Sequence, residues 1–344
     1  MIAVIIAGGK GSRLWPMSTS DRPKHLLSLV GDKTLLQNTY ERAKKLTDKV
    51  YILTDESHHQ QVHEQLQELA KDQFIIEPGR RGTASCIVLA LAKIAAKHGD
   101  DAEVAFFHAD HQINDSDSFV LTVKDAVNAA SENQAIALIG IKPDHPATGF
   151  GYIKLGEKIG DAYKVQEFRE KPDLKTAEEY LKSDDYLWNL GLFTASIKVF
   201  KQAFVESAPE LATAYEQLSS SLDNAEDLFS CYSKLESQPI DTALIEKTKN
   251  LVVVKGVFDW MDVGSFKDLH AILKEVDRYG NSVLGDADQV YLDETTSSVI
   301  VTNNKPVAVI GLSDVVVVDS EDGLLVCHKD MVQEVKKAAE NFSD

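Results

Sequence analysis

The run Ile2-Ala3-Val4-Ile5-Ile6-Ala7-Gly8-Gly9-Lys10-Gly11-Ser12-Arg13-Leu14 decides how the rest of the chain is read. An unbroken apolar stretch from Ile2 to Ala7, too short for a typical helix, describes a strand buried on both faces, as in a parallel sheet. Glycines directly after such a strand let backbone N–H groups approach an anion, because no Cβ stands in the way. Two familiar phosphate loops do not fit. A Walker loop needs Ser or Thr after its Lys, whereas Lys10 precedes Gly11, and the dinucleotide fingerprint would need a glycine where Leu14 stands. Lys10, Arg13, Arg22 and Lys24 face only Asp21 in sequence, a local reversal of charge in an acidic chain. Arginine suits bidentate phosphate contact and lysine acts as a point charge.

Outward from this run, further apolar stretches read as strands: Val50–Leu53, Phe74–Ile76, Val104–Phe107, Ala135–Ile139 and Leu251–Val254. Helical patterns lie between the first of them, at Leu35–Leu46, Glu56–Lys71, Thr83–Lys97 and Phe119–Ala130. Strand and helix alternating at this spacing predict an α/β fold with a mostly parallel sheet, whose ligands sit beyond the carboxyl ends of its strands. Asp110 directly follows one such strand and Asp262 lies beyond another. From about Asn281 the texture changes to short β-rich pieces, Ser298–Val301, Val307–Ile310, Val315–Val318 and Leu324–Val326, before a helix at Met331–Asn341. Their turn spacing is uneven and shows no strict repeat.

The 344 residues exceed the usual size of one core and predict a large domain plus a smaller one. Fifty-four acidic against 36 basic residues give a formal charge of −18, which argues against nucleic acid as a partner. Three scattered cysteines and the lack of a long apolar run predict a cytoplasmic protein that does not enter the membrane.

The loop resembles the GGxGxRLxP…PK signature of the sugar-1-phosphate nucleotidyltransferases. Glu77-Pro78-Gly79-Arg80-Arg81-Gly82-Thr83-Ala84 is similar to the EPxxRNTAP stretch of the mannose-1-phosphate guanylyltransferases, and His108-Ala109-Asp110-His111-Gln112-Ile113 to their PADHxI. Thr148–Ile153 matches TGYGYI, Phe168–Pro172 matches FxEKP, Trp188–Phe193 resembles WNSGxF, and Asp259–Phe266 resembles DWxDVGSW. The matches keep the family's order from residue 3 to residue 266. The resemblance implies a Rossmann-like, mostly parallel mixed sheet flanked by helices (nucleotidyltransferase or GT-A-like) over residues 1–280. It also implies a small β-rich, left-handed β-helix-like module over 281–344, with homodimer contacts through that tail.

The implied reaction is attack of the mannose 1-phosphate oxygen on the α-phosphorus of GTP, giving GDP-mannose and pyrophosphate. Such chemistry asks a protein mainly for positioning and charge neutralisation. By resemblance, Arg13 and Lys24 are catalytic. Gly8, Gly9, Gly11, Ser12, Glu77, Arg81, Thr83 and Ala109 meet the nucleotide, and Gly149, Tyr152, Glu170, Lys171 and Asn189 meet the sugar phosphate. Asp110 and Asp262 hold Mg2+. Gly82, His108 and Leu190 depart from the guanylyltransferase pattern. They leave another NTP, another hexose 1-phosphate or a non-catalytic nucleotide-sugar-binding homologue as alternatives. A glycosyltransferase reading of Asp115-Ser116-Asp117 is weaker, because these residues fit a helix cap. His58, His59 and His63, despite the i, i+4 spacing of the last two, read as a solvated helix face.

Overall fold

Ile2–Ala7 forms β1, with every residue buried, as an apolar run in a sheet covered on both faces requires. The computed structural model describes residues 1–9, 11–273, 277–303 and 305–342. They fall into two units: Met1–Ala7, Thr39–His108 and Ile113–Asp259 make the first, and Gly8–Asn38, Ala109–Gln112 and Trp260–Asp344 the second. Among the described residues no helix is long and apolar enough to cross a membrane.

The strands after β1 are β2 (Val50–Asp55), β3 (Phe74–Glu77), β4 (Glu103–His108), β5 (His111–Gln112), β6 (Ile136–Ile141), β7 (Gly151–Ile159), β8 (Ala162–Arg169), β9 (Tyr186–Ser196), β10 (Leu251–Lys255) and β11 (Met261–Asp262). In the first unit they build one nine-stranded sheet, ordered β3-β2-β1-β4-β9-β6-β10-β8-β7, with β7 also pairing β9. The sheet is mixed. β1, β2, β3 and β4 are parallel neighbours, as are β6 and β10. β9 runs antiparallel to β4, β6 and β7, and β8 is antiparallel to β7 and β10. β7 and β8 form a hairpin in which Ile159 pairs Ala162 and Gly160 supplies a φ of 58° at the turn.

Helices form where the sequence predicts them, at Leu35–Lys44, Gly82–His98 and Ser116–Asn133. Asp115 caps the last by accepting from the Ser118 N–H at 3.0 Å, which gives the Asp-Ser-Asp run its structural role. The helix expected over Glu56–Lys71 is shorter, His59–Gln65. Its start is set by Asp55, whose carboxylate takes the N–H groups of Ser57 and His58, and its end by Leu66, which leaves helical geometry. Ile197–Ser207, Pro209–Ser221 and Ala225–Ser233 add further helices, and Phe106, Phe193 and Phe200 meet within one apolar core.

In the second unit β12 (Ser282–Leu284), β13 (Val290–Asp293), β14 (Val299–Val301), β15 (Val307–Ile310), β16 (Val315–Ser320) and β17 (Gly323–His328) form a β-helix-like module. Ser282 pairs Val299, Val299 pairs Val316 and Val290 pairs Val307, all parallel, so successive coils are offset by seventeen residues. Antiparallel β17 closes the stack on β16. The C-terminal helical stretch is a 3-10 segment, Lys329–Glu334, running into the α-helix Val335–Phe342.

Candidate functional site

The second unit gathers the glycine loop and both expected metal ligands. Gly11, at φ 64°, opens a single 3-10 turn, Ser12–Leu14. A Cβ on Gly11 would lie 2.6 Å from the Cβ of Lys24, so only glycine lets the loop close on that lysine. Ser18 Oγ donates to the Gly11 carbonyl at 2.5 Å, fixing the turn from its other side. Lys10 lies outside the described residues. Leu14 is fully buried in a core shared with Val263, Phe266, Val299, Val316, Leu325 and Val335, so one apolar cluster fixes both the loop and the segment that carries Asp262.

β5 and β11 pair antiparallel, with His111 opposite Asp262. This two-residue ribbon sets Asp110 beside Asp262, although the two acids are far apart in sequence. Lys24 Nζ lies 2.9 Å from Asp110 Oδ2 and 2.6 Å from Asp262 Oδ1, and its side chain is only 7% exposed. Burial by itself would lower the Lys24 pKa, but the charges of Asp110 and Asp262 reverse this and raise it above the ordinary lysine value. The two carboxylates therefore converge on one cation-sized point. Two hard oxygen donors aimed at a common centre fit a divalent ion such as Mg2+, which binds through one or two carboxylates plus phosphate oxygens. Arg13 is exposed, and its Nη1 lies 4.0 Å from where a Cβ on Gly264 would stand. Gly8 and Gly9 have open space above them, and Ser12 begins the 3-10 turn. Ala109 is buried at 1%. Asp268 is a third acid here that no sequence signal pointed to, and it accepts from Ser265 Oγ at 2.9 Å. Burial raises its pKa, Ser265 opposes the rise, and Asp262 adds to it.

The first unit gathers the sugar-side residues. Gly151 pairs Asn189 across β7 and β9. A Cβ on Gly151 would stand 2.5 Å from Glu170 Oε2, so glycine lets that carboxylate lie over the strand. Lys171 Nζ is 3.0 Å from Glu170 Oε1. Burial raises the Glu170 pKa, Asp241 raises it further, and Lys171 opposes both. Asn189 Nδ2 donates to Asp241 Oδ1 at 2.9 Å. Asp241 carries no motif signal, and only its contact with Asn189 reveals it.

Other expected contacts are placed differently. Tyr152 is fully buried and packs on Tyr180, on the face of the strand opposite that of Gly151. Leu190, next to Asn189, is also buried. Gly149 is exposed with nothing within 4 Å of its Cβ position. Glu77 is buried and accepts from the Tyr232 hydroxyl at 2.6 Å. Arg81 donates twice to the Ser233 carbonyl, at 3.0 and 2.7 Å, and Thr83 Oγ1 accepts from the Ile240 N–H at 2.9 Å. These three polar side chains, expected at the nucleotide, bond instead to the helix Ala225–Ser233 and the segment after it. His59 and His63 line a surface cavity of about 490 Å³ with Phe74 and Ile76, so their helix face is less polar than its sequence suggests.

Residues 2–278 match the model of the nucleotidyl transferase family, and residues 288–341 that of the mannose-phosphate isomerase/GMP-like β-helix domain. The chain is 34% identical to a mannose-1-phosphate guanylyltransferase of Escherichia coli, over 99% of its own length and 75% of that protein's. It is 38% identical to the mannose-1-phosphate guanylyltransferase RfbM of Salmonella typhimurium, over 98% and 71%. The crystal structure of a mannose-1-phosphate geranyltransferase from Thermus thermophilus superposes with a TM-score of 0.88 at 31% identity, covering 99% of this chain and 98% of that one.

Proposed function

Because the chain belongs to the nucleotidyl transferase family, within its mannose-1-phosphate guanylyltransferase branch, we propose that it transfers GMP from GTP to mannose 1-phosphate, releasing GDP-mannose and pyrophosphate. The observation that carries this reading is the convergence of Asp110 and Asp262 on one cation position beside the glycine loop. The attacking phosphate oxygen is already an anion, so no side chain need act as a base. What remains is to bring two anions together and to accept the charge of the departing pyrophosphate. Amides near Gly9 and Gly11, with Arg13 and Lys24, supply the positive field for that leaving group. Asp110 and Asp262 would hold Mg2+, which when bound offsets the charge of both phosphates. Glu170 and Asn189 accept and donate toward sugar hydroxyls, and Lys171 faces the monophosphate. Free thiols at Cys86, Cys231 and Cys327 suit a reducing cytoplasm, and self-association through the β-rich module belongs to the same reading.

The test is pyrophosphate release with each of the four NTPs against a panel of hexose 1-phosphates. GTP with mannose 1-phosphate should give the highest kcat/KM. Another preferred pair would correct the substrates, and no turnover with any pair would replace the enzyme by a nucleotide-sugar-binding protein.

A further inference from the structure

Asn189 is held by two partners that each play a single role. Its Nδ2 donates to Asp241, and its Oδ1 accepts from the Gly191 N–H at 3.2 Å. A carboxylate can only accept and a backbone N–H can only donate, so turning the amide over would lose both bonds. One amide N–H and one carbonyl lone pair of Asn189 are left with a fixed direction. Glu170 lies over Gly151, the strand partner of Asn189, and its raised pKa registers the Asp241 charge. Two carboxylates around an oriented amide make an acceptor-rich surface that suits a polyol presenting several hydroxyls.

Asp241 is itself set in place from the start of the helix Gly82–His98. It sits on the single turn Ile240–Ala243, whose first N–H bonds Thr83. Two residues earlier, the Gln238 carbonyl accepts from the Ala84 N–H at 3.1 Å, and the Glu236 carbonyl accepts from Ser85 Oγ at 3.2 Å. Gly82 has a φ of 73°, and a Cβ there would stand 2.5 Å from the Gln238 carbonyl oxygen and 2.8 Å from its nitrogen. Any side chain at position 82 must push this segment away, and Asp241 follows three residues after Gln238.

We propose that Asp241 is a specificity-determining positioning residue for the sugar, orienting Asn189 toward vicinal hydroxyls, and that the absence of a side chain at Gly82 sets its placement. The proposal rests on the sugar 1-phosphate reading above. It gives Gly82, where the guanylyltransferase pattern has Asn, a role on the sugar side of the reaction. Replacing the Asp241 carboxylate by an amide conserves the volume but leaves one neutral carbonyl as the acceptor for the Asn189 N–H, so the charge-assisted bond that fixes the orientation of Asn189 is lost.

Steady-state kinetics on the full chain tests this with Asp241→Asn, Gly82→Asn and Asn189→Ala, using mannose 1-phosphate and its C2 epimer glucose 1-phosphate. Loss of one charged hydrogen bond should raise the mannose 1-phosphate KM of Asp241→Asn about tenfold. The GTP KM should stay unchanged and the preference between epimers should narrow. Gly82→Asn should shift the same two quantities in the same direction, and Asp241→Asn should add nothing in the Asn189→Ala background. Equal losses toward GTP and sugar, or an unchanged epimer ratio in an active Asp241→Asn enzyme, would overturn the proposal alone. A wild-type protein that turns over no sugar 1-phosphate would overturn the underlying reading and this proposal with it.

Discussion

Replacing Lys24 by Met keeps most of the side-chain volume and removes the ammonium that Asp110 and Asp262 share. That ammonium makes two short charged contacts, 2.6 and 2.9 Å, from a side chain that is 7% exposed. Each such bond in a buried setting is worth about 1.5–3 kcal/mol, and removing one member of a buried ion pair costs about 3–5 kcal/mol. The carboxylates are 28% and 38% exposed, so water recovers part of that loss, and the low end of the range, about 3 kcal/mol, applies. For a chain of this length, that corresponds to a melting point lower by roughly 4 °C in metal-free buffer. A divalent ion added to the variant finds the two carboxylates without the lysine as competitor. Mn2+ or Mg2+ should therefore restore more of the melting point in Lys24→Met than it adds to wild type. Because the folded-state pKa of Lys24 is raised, its contribution is complete below the unfolded value of about 10.4 and is lost as pH rises through the folded value. The gap between wild type and variant should thus stay flat from about pH 7 to 9 and narrow only in stronger alkali. Scanning calorimetry with and without the metal is the assay. An unchanged melting point, or a metal response no larger than that of wild type, would refute the reasoning.

Three other perturbations probe separate features. Asp55 is 5% exposed and is bonded by Ser57, His58 and Arg80, so Asp55→Ala should cost about 3 kcal/mol in urea unfolding. Burial alone would raise its pKa, but the bonds from His58 and Ser57 and the Arg80 charge hold it well below the ordinary value. Its contribution is therefore present above about pH 3.9 and lost as pH falls through the folded value, and the variant should show a weaker acid transition. Gly151→Ala drives a methyl to 2.5 Å from Glu170 Oε2, so the sugar phosphate KM should rise while the GTP KM holds, as pyrophosphate release would report. Trp15 and Phe342 stack at 5.2 Å, and Phe342→Ala should lose about 1 kcal/mol and loosen the glycine loop. Faster proteolysis within residues 8–24 would reveal the loosening, and an unchanged cleavage pattern would count against it.

Much of the fold is legible because apolar runs such as Ile2–Ala7 have few alternatives once glycines follow them. Lys24, Asp110 and Asp262 stood out only through the motifs that carry them, and the structure brings the three side chains together. β9 was not, because an apolar strand reads the same whether it runs parallel or antiparallel to its neighbours. The seventeen-residue coil period escaped because its register lies in backbone pairing, while equivalent positions agree only in part: Val299 matches Val316, but Ser282 does not, and Tyr291 lies opposite Ala308. Tyr152 shows where a motif misleads: a family stretch can include residues that pack the reverse side of the strand. Asp241 shows the opposite error, since a lone acid after Pro239 carries no signal until Asn189 is seen beside it.

The core around Leu14 also bears on synthesis. Its partners Val299, Val316, Leu325 and Val335 lie some three hundred positions downstream, so the sequence separation of these contacts is extreme. A ribosome delivering this polypeptide presents the glycine turn long before the side chains that seat it. Nascent chains would therefore carry an unanchored glycine turn until these coils emerge, and a seated turn should arise only after they are made.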